Sequence, residues 1–573
     1  MKDVNRSKAR RNRGGPLTRR EFMRLTAGGA ATLVLPHLAR GGAASSEKPP
    51  NVVLVITDDQ GYGDLGCHGN EKIRTPNLDR LANQSVEFTH FYVCPVCSPT
   101  RASLMTGRYN YRTGVVDTYL GRSMMYPDEV TIAEILGASG YRTGIFGKWH
   151  LGDNYPLRSI DQGFQESLVH KGGGIGQPSD PPGNSYFDPI LYHNGKPEKH
   201  KSYCTDVFTD AATQFIEKNR EHPFFAYLST NAPHTPLQID EAYVSPYKAM
   251  GLDETTARVY GMVTNLDENV GRLLHRLSEL DLDGNTIVIF LTDNGPQQNR
   301  YNCGMRGRKG DVYEGGIRVP LFIRWPAKLT AGRKVDRIAA HIDILPTLLD
   351  ACGVGKPRGL ALDGMSLLPL LRGESIVWPD RTLYFQWHRG DVPELYRNCA
   401  ARSQRYKLVG ENELYDILAD RGEEKDVAVE HPDVVARMRE GCEKWFREVS
   451  TTRGFEPPRI YLGTEFENPT TLTRQDWRGP RAGWDANSLG YWEVEIARAG
   501  NYQMKLLFER LAFQAVALFK LAEVSLSQPV RKGDSSCTFD PIRLSAGKTR
   551  LEAWVDAEGK TTGVSYLEVT RRG

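Results

Sequence analysis

Cysteine is sparse, nine residues in a chain of 573. The nine show no paired zinc spacing and no dense framework. Neither a thiolate metal site nor a disulfide-stapled small fold is indicated, and any pairing is left unread. Excess charge is also missing: 73 Lys and Arg against 70 Asp and Glu give a formal +3. Much of that excess lies near the N-terminus, so composition gives no argument for a nucleic-acid partner. There is no fixed-period repeat. No apolar run is long enough for an ordinary membrane span. The longest candidate, Leu25 to Leu38, is short and contains Pro36.

What the chain does have begins with a basic leader. Lys2, Arg6, Lys8, Arg10, Arg11 and Arg13 precede Thr18-Arg19-Arg20-Glu21-Phe22-Met23, which resembles the twin-arginine export motif. Small residues at Gly42-Ala43-Ala44 offer a cleavage site. Residues 1–44 are therefore expected to be a signal peptide, cleaved or kept as an anchor. The expected partner is the twin-arginine translocase, and the destination is the bacterial periplasm or the exterior.

The stretch Cys97-Ser98-Pro99-Thr100-Arg101 organises the remainder. Ser98 suits an N-cap and Pro99 a first helical position, which sets Cys97 just ahead of a helix start. Free N–H groups there favour an anion, and Arg101 adds a cation one turn on. Read alone, Cys97 is as consistent with a buried structural thiol.

Four further segments set polar groups at the ends of expected elements. Asn51–Ile56 is a β-branched run of the kind buried on both faces, and it ends in Asp58-Asp59. Two carboxylates leaving a buried strand need a cation or partners. Tyr141–Phe146 leads to Lys148 and His150, which point the same way in an extended chain. Pro223–Leu228 leads to His234 between Pro233 and Pro236. Thr286–Leu291 leads to Asp293-Asn294-Gly295, then to Lys309 and Glu314-Gly315-Gly316 in a glycine-rich stretch. Open α/β sheets bind ligands at such strand ends.

Helices expected at 75–82, 131–138, 207–218, 257–280 and 344–352 alternate with these strands. The fold class is α/β: a large, mostly parallel sheet covered by helices on both faces. We place this catalytic unit at 48–375, a small C-terminal antiparallel sheet subdomain at 376–452, and an appended β-sandwich at 455–573. In the sandwich, Trp492–Ile496 and Tyr502–Leu506 alternate strictly, and Ala499-Gly500-Asn501 is expected to join them as a hairpin. Trp477, Trp484 and Trp554 fit a core better than a sugar platform.

Together these motifs resemble the sulfatase family over roughly residues 50 to 450. The match covers Cys97-x-Pro99-x-Arg101, Thr106-Gly107-Arg108, Asp58-Asp59, Gly147-Lys148-Trp149-His150-Leu151-Gly152, Pro233-His234-Thr235-Pro236, and Asp293-Asn294-Gly295 with Lys309. Thr100, where many members carry Ser, departs mildly. The resemblance implies that a formylglycine-generating enzyme converts Cys97 to formylglycine (3-oxoalanine), whose hydrate attacks sulfur. It implies Asp58, Asp59, Asp293, Asn294 and modified Cys97 as ligands of one divalent ion, Ca²⁺ with Mg²⁺ as the other candidate. Asp293 would take the attacking hydroxyl's proton. Arg101, Lys148 and Lys309 would hold charge on the sulfuryl oxygens. His234 and Lys309 would serve the leaving oxygen, and His150 would take the second hydroxyl's proton. The implied activity is sulfate ester hydrolysis, on a sulfated carbohydrate or an aryl sulfate. The alternatives are a formylglycine-dependent phosphodiesterase or phosphonate monoester hydrolase, and a non-catalytic sulfated-glycan-binding protein.

Overall fold

The computed structural model describes residues 48–557 and 559–572. The leader and its twin-arginine motif lie outside the described residues. Among the described residues, no helix is long and apolar enough to cross a membrane.

A ten-stranded sheet dominates the structure. Its strands are β1 Asn51–Thr57, β2 Val86–Phe88, β3 Arg142–Lys148, β4 Glu166–His170, β5 Ile190–His193, β6 Lys196–Lys199, β7 Phe224–Ser229, β8 Thr286–Thr292, β9 Leu321–Arg324 and β10 Arg333–Val335. Their spatial order is β10-β2-β9-β8-β1-β7-β3-β4-β5-β6. The central strands β8, β1, β7, β3 and β4 run parallel. Both flanks turn antiparallel, through β9 on one side and β5 and β6 on the other.

β1 shows why the centre holds. Val52, Leu54 and Ile56 face one core and Val53 and Val55 the other, all fully buried. Each such side chain contributes roughly 1.5–3 kcal/mol by leaving water. Helices Cys97–Thr106, Ile132–Ala138 and Ile344–Ala351 cover the first face. Helices Pro76–Asn83, Cys204–Asn219 and Glu254–Glu279 cover the second. Asp267, midway along the last of these, is not solvated. It is buried and accepts from the backbone N–H groups of Asn77 and Leu78, at 3.2 and 2.7 Å, so it caps a neighbouring helix.

A four-stranded antiparallel sheet comes next: Leu383–Gln386, Cys399–Arg402, Tyr406–Val409 and Glu413–Asp416. The helix Pro432–Thr451 packs against it. All nine cysteines are free thiols. Cys399 and Cys442 bring this sheet and helix together, their sulfurs 3.2 Å apart.

The C-terminal segment forms two sheets, of six and five strands, around one core. Tyr491–Ile496 belongs to the first and pairs with Gly547–Ala557 and Ile460–Leu462. Gly500–Leu507 belongs to the second. The expected hairpin is therefore a crossover between sheets. Strict alternation fits either inner face and does not identify the partner strand. Trp477 and Trp492 are fully buried in this core, and Met124 and Leu157 of the α/β unit join them.

Candidate active site

Four adjacent parallel strands deliver the polar groups to one edge. β8 ends before Asp293 and Asn294, β1 before Asp58 and Asp59, β7 before the segment holding His234, and β3 at Lys148 with His150 two residues on. The helix Cys97–Thr106 supplies Cys97 and Arg101 from the side. It begins at Cys97 itself, with Val96 in the N-cap place and no side-chain cap. Ser98 does not cap: its hydroxyl donates to the His150 carbonyl at 2.8 Å. The local reading erred by a residue because a side-chain partner outside the helix competes for the hydroxyl.

The charged groups interlock. Lys148 Nζ stands 2.6 Å from Asp58 Oδ2, both fully enclosed. Lys309 Nζ stands 2.6 Å from Asp59 Oδ1. Arg101 donates from Nη2 to Asp293 Oδ2 at 2.8 Å and from Nη1 to the Lys148 carbonyl at 3.2 Å and to Ser229 Oγ. Three carboxylates thus face three cations. Burial raises the Asp293 carboxyl to about 6, helped by the charge on Asp58. Burial also pushes Asp59 up, but the charge and hydrogen bond of Lys309 outweigh it and hold the carboxyl below the usual range.

Several buried oxygens have no partner in this network of bonds: Asp58 Oδ1, Asp59 Oδ2 and Asn294 Oδ1. An orphaned buried acceptor is costly, and a bound cation is one way to satisfy these three. Donor atoms of Asp58, Asp59 and His234, and of Asp58, Cys97 and Asp293, lie within 4.8 Å of one another in each group. The residues present therefore fit a metal, and the oxygen-rich donor set fits a hard divalent ion.

The two histidines are fixed as opposite tautomers by backbone carbonyls, which can only accept. His150 donates from Nε2 to the Thr118 carbonyl at 2.7 Å, leaving bare Nδ1 3.5 Å from Cys97 Sγ. His234 donates from Nδ1 to the Thr235 carbonyl at 2.6 Å, leaving bare Nε2 3.8 Å from Asp59 Oδ2. Burial, with Lys148 beside it, drives His150 well below its ordinary pKa. Burial, with Lys309 beside it, lowers His234 to about 3. Both rings are neutral at physiological pH. His150 does not sit in extended chain as expected; its φ of 59° turns the ring toward Cys97.

The glycine-rich stretch also works differently from the expectation of ligand approach. A Cβ on Gly295 would fall 1.9 Å from the Gly315 carbonyl oxygen. The glycines let the Asp293-Asn294-Gly295 turn lie on the backbone of Gly315-Gly316. Glu314 meanwhile accepts from Lys407 Nζ at 3.3 Å, tying this loop to the small sheet.

The structure brings every expected site residue together. Sequence reasoning missed Thr118, which contributes only a carbonyl, and Ser229, an ordinary strand-end serine. It also passed over the Cys-x-x-Cys spacing of Cys94 and Cys97. Cys94 turns away from the site, its sulfur 3.3 Å from His341 Nε2.

Two family models match: Sulfatase over residues 50–354, and N-sulphoglucosamine sulphohydrolase, C-terminal, over residues 308–447. Human N-acetylgalactosamine-6-sulfatase is 32% identical over 61% of this chain and 70% of its own length. Human arylsulfatase A is 34% identical over 66% of this chain and 78% of its own. Among solved structures, Ps i-CgsB in complex with k-i-k-neocarrahexaose is 30% identical with a TM-score of 0.65. That alignment covers 71% of this chain and 95% of the other.

Proposed function

The chain belongs to the sulfatase family and is a sulfuric ester hydrolase, and from that premise we propose that it desulfates a sulfated carbohydrate through an aldehyde made from Cys97. The observation that carries this reading is the convergence at residue 97: a helix N-terminus, the bare Nδ1 of His150, and three orphaned oxygens that a cation would satisfy.

The aldehyde would supply a geminal diol, so that one hydroxyl attacks sulfur and the other drives release. A divalent ion, Ca²⁺ by family usage, would sharpen that hydroxyl's acidity and draw charge from the sulfate. Asp58, Asp59, Asp293 and Asn294 would hold it with residue 97.

Asp293 accepts the proton of the attacking hydroxyl. Arg101 is committed to Asp293, Ser229 and the Lys148 carbonyl, so it acts by holding Asp293 in place. Lys148 and Lys309 face the sulfuryl oxygens. Lys309 is the better proton donor to the leaving oxygen, because the tautomer of His234 leaves its Nε2 without a proton. His150 Nδ1 then takes the proton of the second hydroxyl. Loss of that proton would let an aldehyde at residue 97 be regenerated with release of sulfate.

The sugar substrate rests on the names of the relatives, which act on or bind carbohydrates. Export by the twin-arginine translocase, and modification by a formylglycine-generating enzyme before it, complete the reading and rest on the sequence motifs.

The test is the mass of the tryptic peptide containing Cys97, on protein co-produced with a formylglycine-generating enzyme. Thiol-to-aldehyde conversion, with loss of multiple turnover in Cys97→Ser, is the expected result. A persistent thiol in fully active protein overturns it.

A further inference from the structure

We propose that the C-terminal sandwich is a wall of the active site, with Gln475 as the positioning residue for His150. The inference rests on the reading of His150 as the base of the sulfate-release step.

Gln475 lies in the short turn Arg474–Asp476 after the strand Thr470–Thr473 and is 2% exposed. Its Nε2 donates to the Thr118 carbonyl at 2.9 Å, the same oxygen that accepts from His150 Nε2. It also donates to Ser123 Oγ at 3.2 Å, and its backbone carbonyl accepts from the Gly121 N–H at 3.0 Å. The sandwich therefore grips the 117–123 loop at three points. That loop has one contact with the chemistry, the carbonyl that fixes the His150 tautomer.

The opposite side is held from the same sandwich. Tyr566 donates its hydroxyl to the Asp180 carbonyl. Asp180 in turn accepts from the N–H groups of Lys171 and Gly176, at 3.2 and 3.0 Å, and so folds the 171–184 loop. That loop lies on the imidazole of His150: a Cβ on Gly173 would stand 2.8 Å from Cε1. His150 is thus pinched between two loops, and the sandwich holds both.

A carbonyl oxygen with two donors has a fixed plane. Without Gln475 the Thr118 carbonyl keeps His150 as its donor but loses the second bond that sets its plane, and the aim of Nδ1 at residue 97 loosens. The loss falls on proton removal in the second step. Ester cleavage, which uses Asp293 and the lysines, is spared. Partners that orient a metal-bound histidine carry about 10–100-fold in affinity or activity when removed, and an effect of that order is expected for this ring.

Two variants of the full-length, aldehyde-bearing protein test this, with Lys520→Ala, an exposed sandwich residue, as control. In Gln475→Ala, kcat on an aryl sulfate should fall about tenfold or more with kcat/KM little changed, so that KM falls with kcat, and covalently sulfated enzyme should accumulate. Gln475→Glu keeps the shape and donates only when protonated. Its kcat should approach wild type at low pH and fall along a new alkaline limb absent from the parent. Hydrogen exchange in the 117–123 peptide should quicken in Gln475→Ala and stay at the parent rate in the control. Unchanged exchange overturns the proposal whatever the activity, and so does a parallel fall of kcat, kcat/KM and melting temperature in both variants. Should wild type itself fail to turn over sulfate esters, the functional reading fails, and exchange still decides whether Gln475 holds the loop.

Discussion

Replacing Lys148 by alanine separates stability from chemistry at this site. The ammonium is 2.6 Å from Asp58 Oδ2, and neither group is exposed. Removing one member of a buried pair leaves the other charge uncompensated and costs about 3–5 kcal/mol. Here the cost is compounded, because Asp58 already opposes ionisation of Asp293. A divalent cation on Asp58 would offset that loss by mass action. It would not replace the ammonium that, on the proposed mechanism, faces the sulfuryl oxygens, and loss of one such donor lowers kcat by roughly 10²–10³. The expected pattern has two parts. In chelator, Lys148→Ala melts well below wild type, and excess Ca²⁺ narrows the gap. Turnover of an aryl sulfate stays low at every Ca²⁺ concentration. Thermal scans and initial rates across a Ca²⁺ series measure both. Wild-type turnover in the variant, or a melting gap indifferent to Ca²⁺, would refute the reasoning.

Three other outcomes are expected. His150→Ala should release one equivalent of alcohol in a burst and then stall, since loss of a general base costs about 10²–10⁴ in the step it serves; an equal fall in burst and steady state would count against its placement. Gly295→Ala should lose the folded Asp293-Asn294 turn, because its Cβ would meet the Gly315 carbonyl at 1.9 Å; circular dichroism and metal titration read this, and a native melting curve would contradict it. Asp476, buried beside the sandwich seam, is raised to about 8 by burial and then by Asp153. Its folded pKa lies above its unfolded value, so its stabilising contribution is complete below about pH 4 and is lost as pH rises through 8, at up to about 1.4 kcal/mol per pH unit. Asp476→Asn should flatten the fall in melting temperature between pH 5 and 8, and an unchanged slope would remove Asp476 as its source.

The catalytic part of the fold was legible because its signals are local. A β-branched run such as Asn51–Ile56 has no stable place except between two covered faces, and the residues just after it must then lie at a strand end. The site residues were legible because their chemistry demands unusual groups in such places. The features that stayed hidden depend on contacts between distant segments. Thr118 acts through its backbone, which no residue type betrays. Asp267 looks like a solvated helix face until the N-terminus of another helix is seen against it. Gln475 is one glutamine among many until the sandwich docks. Arg101 carries the right charge for the sulfuryl group, yet its fork is turned on Asp293, a matter of orientation that spacing does not encode.

The hydrophobic interior that Met124 and Leu157 share with Trp477 and Trp492 has an evolutionary consequence. Both family matches end by residue 447. A boundary drawn there cuts through a single packed core, so the two parts cannot be exchanged between proteins like beads on a string. A chain that lost the C-terminal sheets would bare Met124 and Leu157 to water, and one that gained them had to acquire both halves of the seam together. Drift in the unmatched segment is therefore felt at the matched one, and a change of substrate preference can begin with a mutation that no family model would flag.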